Sequence, residues 1–144
     1  MATEFQVAFD CADPPAMAGF WAGALRYRLE GPPEPDARWQ KFLAENGIPE
    51  EQWNDTSAIS DPDGNGPRIY FQRVPEPKTS KNRLHLDLNV GGGQDAPLVA
   101  RRTRVDEAAQ RLAALGARFV AAKTKHGEYV VTMRDPEGNE FDLQ

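Results

Sequence analysis

The sequence predicts an α+β fold built from two β-α-β-β-β modules, and three observations predict it. One turn phrase occurs twice, as Asp61-Pro62-Asp63-Gly64-Asn65 and as Asp135-Pro136-Glu137-Gly138-Asn139. Proline presets φ and Gly-Asn accepts positive φ, so each copy is a turn signal. Each copy is followed by a segment able to form a strand, residues 68–74 and 140–143. Each also lies downstream of an alanine-rich amphipathic stretch, one ending in Ala24-Leu25-Arg26-Tyr27 and the other in Ala114-Leu115-Gly116-Ala117. One such turn is a loop; two in the same order describe a duplicated module.

Residues 5–10 alternate, with Phe5, Val7 and Phe9 on one face and Gln6, Ala8 and Asp10 on the other, the pattern of a half-buried strand. Asp13 is the expected N-cap of a helix whose first turn holds Pro14 and Pro15. Met17, Phe20, Trp21, Ala24 and Leu25 then form one apolar stripe. A Gly-Pro-rich break at residues 31–36 follows. Residues 38–46 and 49–53 read as an inserted helical segment carrying Trp39, Phe42, Leu43 and Trp53. Leu25 to Asp61 spans 36 positions against 20 from Leu115 to Asp135, so the first module carries 16 extra residues. Insertions at such places serve binding more often than folding.

The proline-punctuated residues 75–82 form the natural linker. The organisation is one domain, residues 1–144. Module 1 covers about residues 1–74, with its insertion at about 31–57, and module 2 covers about residues 83–144. In module 2, residues 83–90 read as a strand ended by Gly91-Gly92-Gly93. A helix follows over residues 105–115, with Val105, Ala108, Ala109, Leu112 and Leu115 as its buried stripe and Gly116 at its end. Residues 119–122, 128–134 and 140–143 complete the strands.

Composition narrows the function classes. A formal net charge of −5 and a pI near 5.1 argue against nucleic acid as a main partner, because phosphate neutralisation needs a basic face. The one basic run, Arg101-Arg102-Thr103-Arg104, reads as a solvated approach to a helix N-terminus. No apolar run approaches bilayer length, and no signal peptide is legible. The lone Cys11 fits a cytoplasmic location. Two histidines, His85 and His126, rule out a three-histidine zinc centre, so any metal site must draw on carboxylate or amide oxygens.

The paired modules, the helix endings, Ala18-Gly19-Phe20-Trp21, the stretch from Lys81 to Leu88, and Asp135-Pro136-Glu137-Gly138-Asn139-Glu140-Phe141 resemble the vicinal oxygen chelate superfamily. Within it the chain resembles the glyoxalase-like and bleomycin-resistance-like proteins. The resemblance implies two curved sheets enclosing a cup, helices on the convex side, a small-molecule ligand and a homodimer. It also implies, for metal-dependent members, a divalent ion held by the first and last strands of the two modules. Gln6, His85 and Asp142 fall at positions similar to the family's metal ligands, with Gln72 as the candidate fourth.

Strand parity tests that geometry independently. In residues 83–89 three leucines share one face while Arg83, His85, Asp87 and Asn89 share the other. Phe141 and Leu143 oppose Glu140 and Asp142, and Ile69 and Phe71 oppose Tyr70 and Gln72. Gln6, Gln72, His85 and Asp142 therefore share the expected cup face. Asp87 and Glu140 are the candidate proton carriers or orienters of the metal ligands, and Trp39, Trp53, Tyr70 and Asp87 the candidate ligand contacts, with a dimer contact the equal alternative for the two tryptophans. A bland reading satisfies His85 by pairing with Asp87, Asp142 or a water. Two functions follow: a metal-assisted lyase or isomerase of glyoxalase type, or a non-catalytic cup that sequesters a small molecule, as antibiotic-resistance members do.

Overall fold

The structure, a computed structural model, describes residues 1–31 and 37–144, as backbone alone at 37–39. It divides into two compact units, Met1–Pro77 and Lys78–Gln144. The first unit runs β1 (Val7–Cys11), α1 (Pro14–Leu25), β2 (Arg28–Leu29), α2 (Ala37–Glu45), a 3-10 turn (Glu50–Gln52), β3 (Thr56–Ser60) and β4 (Ile69–Arg73). The second runs β5 (Asp87–Leu88), α3 (Leu98–Leu115), β6 (Arg118–Lys125), β7 (Glu128–Arg134) and β8 (Glu140–Leu143). Each unit holds one four-stranded sheet, ordered β1-β4-β3-β2 and β5-β8-β7-β6. In both, the first strand lies parallel to the last and the other pairings are antiparallel. The duplication predicted from two turns is thus a duplication of topology.

In the first unit Asp13 caps α1, its carboxylate accepting from the Ala16 N–H at 3.2 Å, with Pro14 and Pro15 where no intrahelical donor is needed. Met17, Phe20 and Trp21 are buried as the stripe requires. Trp21 meets Phe9, and Phe9 stacks on Phe71, each pair with centroids 5.4 Å apart. Ile59, Ile69 and Phe71 complete this core, so the opposite face of β4 carries Tyr70 and Gln72. Phe5 departs from expectation: it precedes β1 and stays 72% exposed. The insertion is helical, as its spacing predicts, with Leu43 buried and Phe42 exposed. It ends sooner than residue 57, because β3 already begins at Thr56.

In the second unit β7 alternates cleanly, burying Tyr129, Val131 and Met133 on the side where the Tyr129 hydroxyl donates to Asp106 of α3 at 2.6 Å. Tyr129 and Val131 are therefore interior residues, whereas Phe119 on the edge strand β6 is 61% exposed. The helix α3 begins seven residues earlier than expected, at Leu98 instead of Val105. The basic run lies inside it: Arg101 donates to Ala96 O and pairs with Glu128, and Arg104 donates to Gly91 O. The strand expected over 83–90 shrinks to two residues, and Leu84 is 74% exposed. β5 has one sheet neighbour, β8, which the turn at 135–139 prevents from starting before Glu140. Residues 83 and 84 therefore lie opposite no residue of β8.

The repeated turns are held by their first residue. Asp61 accepts the backbone N–H groups of Asp63, Asn65 and Gly66. Asp135, fully buried, accepts those of Glu137 and Asn139 and the Asn139 side-chain amide. Gly64 and Gly138 adopt φ of 71° and 88°, the left-handed region that makes glycine the fitting residue there. Among the described residues no helix is long and apolar enough to cross a membrane.

Candidate functional site

The parallel pairing of β5 with β8 sets Asp87 directly opposite Asp142, and His85 lies two residues before Asp87 in the same chain segment. A ring nitrogen of His85 and one carboxylate oxygen each from Asp87 and Asp142 all lie within 4.8 Å of one another. His85 and Asp87 are exposed, and Asp142 is half-buried. His85 Nδ1 is 2.7 Å from Asp87 Oδ1. An ionised carboxylate only accepts, so Nδ1 is the donor in this pair. On the other side, Thr132, the antiparallel partner of Asp142, donates its hydroxyl to Asp142 Oδ1 at 2.6 Å.

One imidazole and two carboxylates form a donor set suited to a borderline or hard divalent cation. Two carboxylates aligned across a ladder repel one another, and a cation between them relieves that repulsion. The donors fit. His85 and Asp142, expected as ligands, are brought together, and Asp87 joins them.

In the first unit Asp10 lies opposite Gln72, and Thr56 also pairs with Gln72. Counted outward from the repeated turns, Tyr70 stands where the second unit has Asp142, Ala8 where it has Asp87 and Gln6 where it has His85. The Gln72 amide donates to Asp10 Oδ1 at 2.6 Å, so this acidic position is satisfied by a neutral donor. Gln6 Oε1, expected as a metal ligand, accepts from the Arg68 guanidinium at 3.1 Å. A guanidinium on that oxygen opposes a second cation there. Arg68 also pairs with Glu30 at 2.8 Å, and its hydrogen bond is the main cause holding the Glu30 carboxyl below its usual range. Tyr70 lies half-buried beneath the same guanidinium, 5.6 Å from ring centroid to Cζ.

Glu140 shares the face of Asp142, as parity requires, yet it is buried and fully engaged. Its carboxylate accepts from the Asn82 N–H at 3.0 Å and pairs with Lys78 at 3.2 Å. Burial pushes its pKa up, but the Asn82 N–H, its own backbone N–H and Lys78 outweigh this and hold it at about 2. A carboxyl that stays ionised across the neutral range makes a poor proton carrier. In this arrangement Glu140 fastens residues 78–82 to β8. Trp53 is half-buried and donates its indole N–H to Ile48 O at 3.0 Å, closing the insertion on itself. Trp39, the other aromatic expected at a ligand, lies outside the described side chains. Sequence reasoning missed Thr132.

Residues 6–144 match the family described as the glyoxalase-like domain. The chain belongs to that family. Solved structures of the glyoxalase/bleomycin resistance/dioxygenase group, the vicinal oxygen chelate superfamily, share the glyoxalase-like fold. A family enzyme from Burkholderia phytofirmans PsJN is 17% identical with a TM-score of 0.61, the match covering 96% of this chain and 94% of that one. A possible glyoxalase from Bacillus cereus is 16% identical with a TM-score of 0.62, covering 100% and 99%. A variant of the fosfomycin resistance protein FosX from Listeria monocytogenes, complexed with Mn(II) and 1S,2S-dihydroxypropylphosphonic acid, is 11% identical with a TM-score of 0.65, covering 100% and 92%. At these identities the likeness establishes the fold of this glyoxalase-like chain. No curated protein matches it.

Proposed function

We propose that this glyoxalase-like protein binds a small oxygen-bearing molecule and acts on it, as a lyase or isomerase, with the help of a divalent cation held by His85 and Asp142. The observation that carries the reading is the convergence of His85, Asp87 and Asp142 donors within 4.8 Å of one another. A cation bound there supplies Lewis-acid polarisation of substrate oxygens. Asp87, by accepting from Nδ1, fixes the orientation of the imidazole. With Glu140 committed to Lys78 and Asn82, Asp87 is the carboxylate left to move a proton. Tyr70 offers an aromatic face as a small-molecule contact.

Metal content of the purified protein tests this. Mn(II) accompanies the Listeria FosX variant, which makes it the first ion to supply. Wild type should retain close to one ion per chain, and His85→Ala and Asp142→Ala should each lose it. Anomalous scattering from an ion bound away from these residues would overturn the assignment.

One observation favours a second reading, non-catalytic sequestration. In the first unit the Gln6 oxygen and the Gln72 amide are already engaged by Arg68 and Asp10, so the ligand set is thinner than the resemblance implies. Ligand affinity that survives complete chelation, without turnover, selects that reading.

A further inference from the structure

We infer that Thr132 is a positioning residue that makes the short Asp142 side chain competent as a cation ligand. The inference rests on the reading of His85 and Asp142 as ligands. Thr132 and Asp142 are direct cross-strand partners of β7 and β8, both half-buried. Their Oγ1–Oδ1 distance of 2.6 Å falls in the range of a charge-assisted O–H···O⁻ bond, which is shorter and stronger than a neutral one. Threonine is β-branched, so its χ1 is stiff, and its strand is flanked on both sides in the sheet. Its single hydroxyl proton engages one carboxylate oxygen. Asp142 is thereby held in one rotamer with Oδ2 left to meet the cation. An aspartate has one rotatable bond fewer than a glutamate and less reach, so its aim must be set by its neighbours. Counted outward from the repeated turn, the first unit has Ala58 in place of Thr132, paired with Tyr70, so it holds no hydroxyl-to-carboxylate pair at this register. The arrangement that holds a carboxylate ready thus coincides with the unit that has His85.

The test is Mn(II) titration of the full chain followed by electron paramagnetic resonance, with thermal unfolding of the metal-free proteins as the control for folding. Thr132→Val keeps the shape and removes the donor; Thr132→Ser keeps the donor. Loss of a partner of this kind typically weakens metal affinity about 10–100-fold, so Thr132→Val should raise the Mn(II) Kd by that factor and Thr132→Ser should restore most of the affinity. Wild type and Thr132→Val binding with equal Kd would overturn the positioning role while leaving the metal site standing. A wild type without a saturable Mn(II) site would overturn the ligand reading and this inference together. A second measurement needs no metal: the Thr132 hydroxyl proton should be protected from exchange in apo-protein NMR spectra and lose that protection in Asp142→Ala. An unprotected hydroxyl in wild type refutes the contact itself.

Discussion

Replacing Glu140 by glutamine should convert a pH-dependent fastening into a pH-independent one. The Glu140 carboxyl moves from an ordinary 4.5 to about 2 in the folded chain. At about 1.36 kcal/mol per pKa unit, the shift corresponds to stabilisation on the order of 3 kcal/mol. The side chain is 10% exposed, so solvent screens this only in part. The sign follows from the direction. A depressed folded-state pKa means the stabilisation is full above about 4.5, where the unfolded carboxyl is also ionised, and is lost as pH falls towards about 2. Urea midpoints of wild type and Glu140→Gln should therefore differ most at pH 7 and converge by about pH 2. A gap of constant size across that range, or none at pH 7, would refute the account of Glu140 as an ionised tie between β8 and residues 78–82.

Other outcomes follow from the same coordinates. Asp135→Ala removes the buried acceptor of two backbone N–H groups and an amide, and should cost on the order of 2–4 kcal/mol in urea unfolding. Gly19 is exposed within α1 with nothing within 4 Å of an added Cβ, so Gly19→Ala should raise Tm through a gain of about 0.5–1 kcal/mol. Gly66→Ala should lower it, because the new Cβ would lie 2.1 Å from the Tyr27 hydroxyl beside Asp61. The expected homodimer is tested by sedimentation equilibrium: β6 is an eight-residue sheet edge exposing Phe119, and a mass fixed at 16.0 kDa over micromolar concentrations would overturn the expectation.

What was legible in the sequence was what local chemistry decides. Asp13 with two prolines dictates where α1 starts, and alternation dictates which side of β4, β7 and β8 is buried. Pairing was less legible. Leu84 reads as a core residue by alternation, yet it is exposed because β8 is too short to extend the ladder to residue 84. Glu140 reads as a reactive carboxylate by parity, and only the approach of Lys78 and Asn82, some sixty positions away, reveals an ionised anchor. Gln6 lies on the expected face, but its oxygen is taken by Arg68, which a strand pattern does not disclose. Thr132 was within reach. A turn over 135–139 that pairs Arg134 with Glu140 also pairs Thr132 with Asp142, so register counted outward from the repeated turn locates the hydroxyl beside the carboxylate.

That register also explains why two copies of one module need not do the same work. A parallel first-to-last strand pair places two side chains opposite each other on the polar face, whatever their identity. When the pair is Asp10 and Gln72, donor meets acceptor at 2.6 Å and the interaction is complete without help. When it is Asp87 and Asp142, two acceptors face each other, and the charge must be balanced from outside the pair. His85 reaches one carboxylate and Thr132 the other, and neither donates a full positive charge while the imidazole is neutral. The second module's pair therefore concentrates two negative charges where the first module's pair has one. An amide-for-carboxylate exchange in the second pair tests this. Made as Asp142→Asn, it should leave the fold intact, because Thr132 can still donate to the remaining carbonyl oxygen, and should abolish cation binding. Retained Mn(II) affinity in Asp142→Asn, measured by the same titration, would show that the carboxylate pair is not what draws the ion.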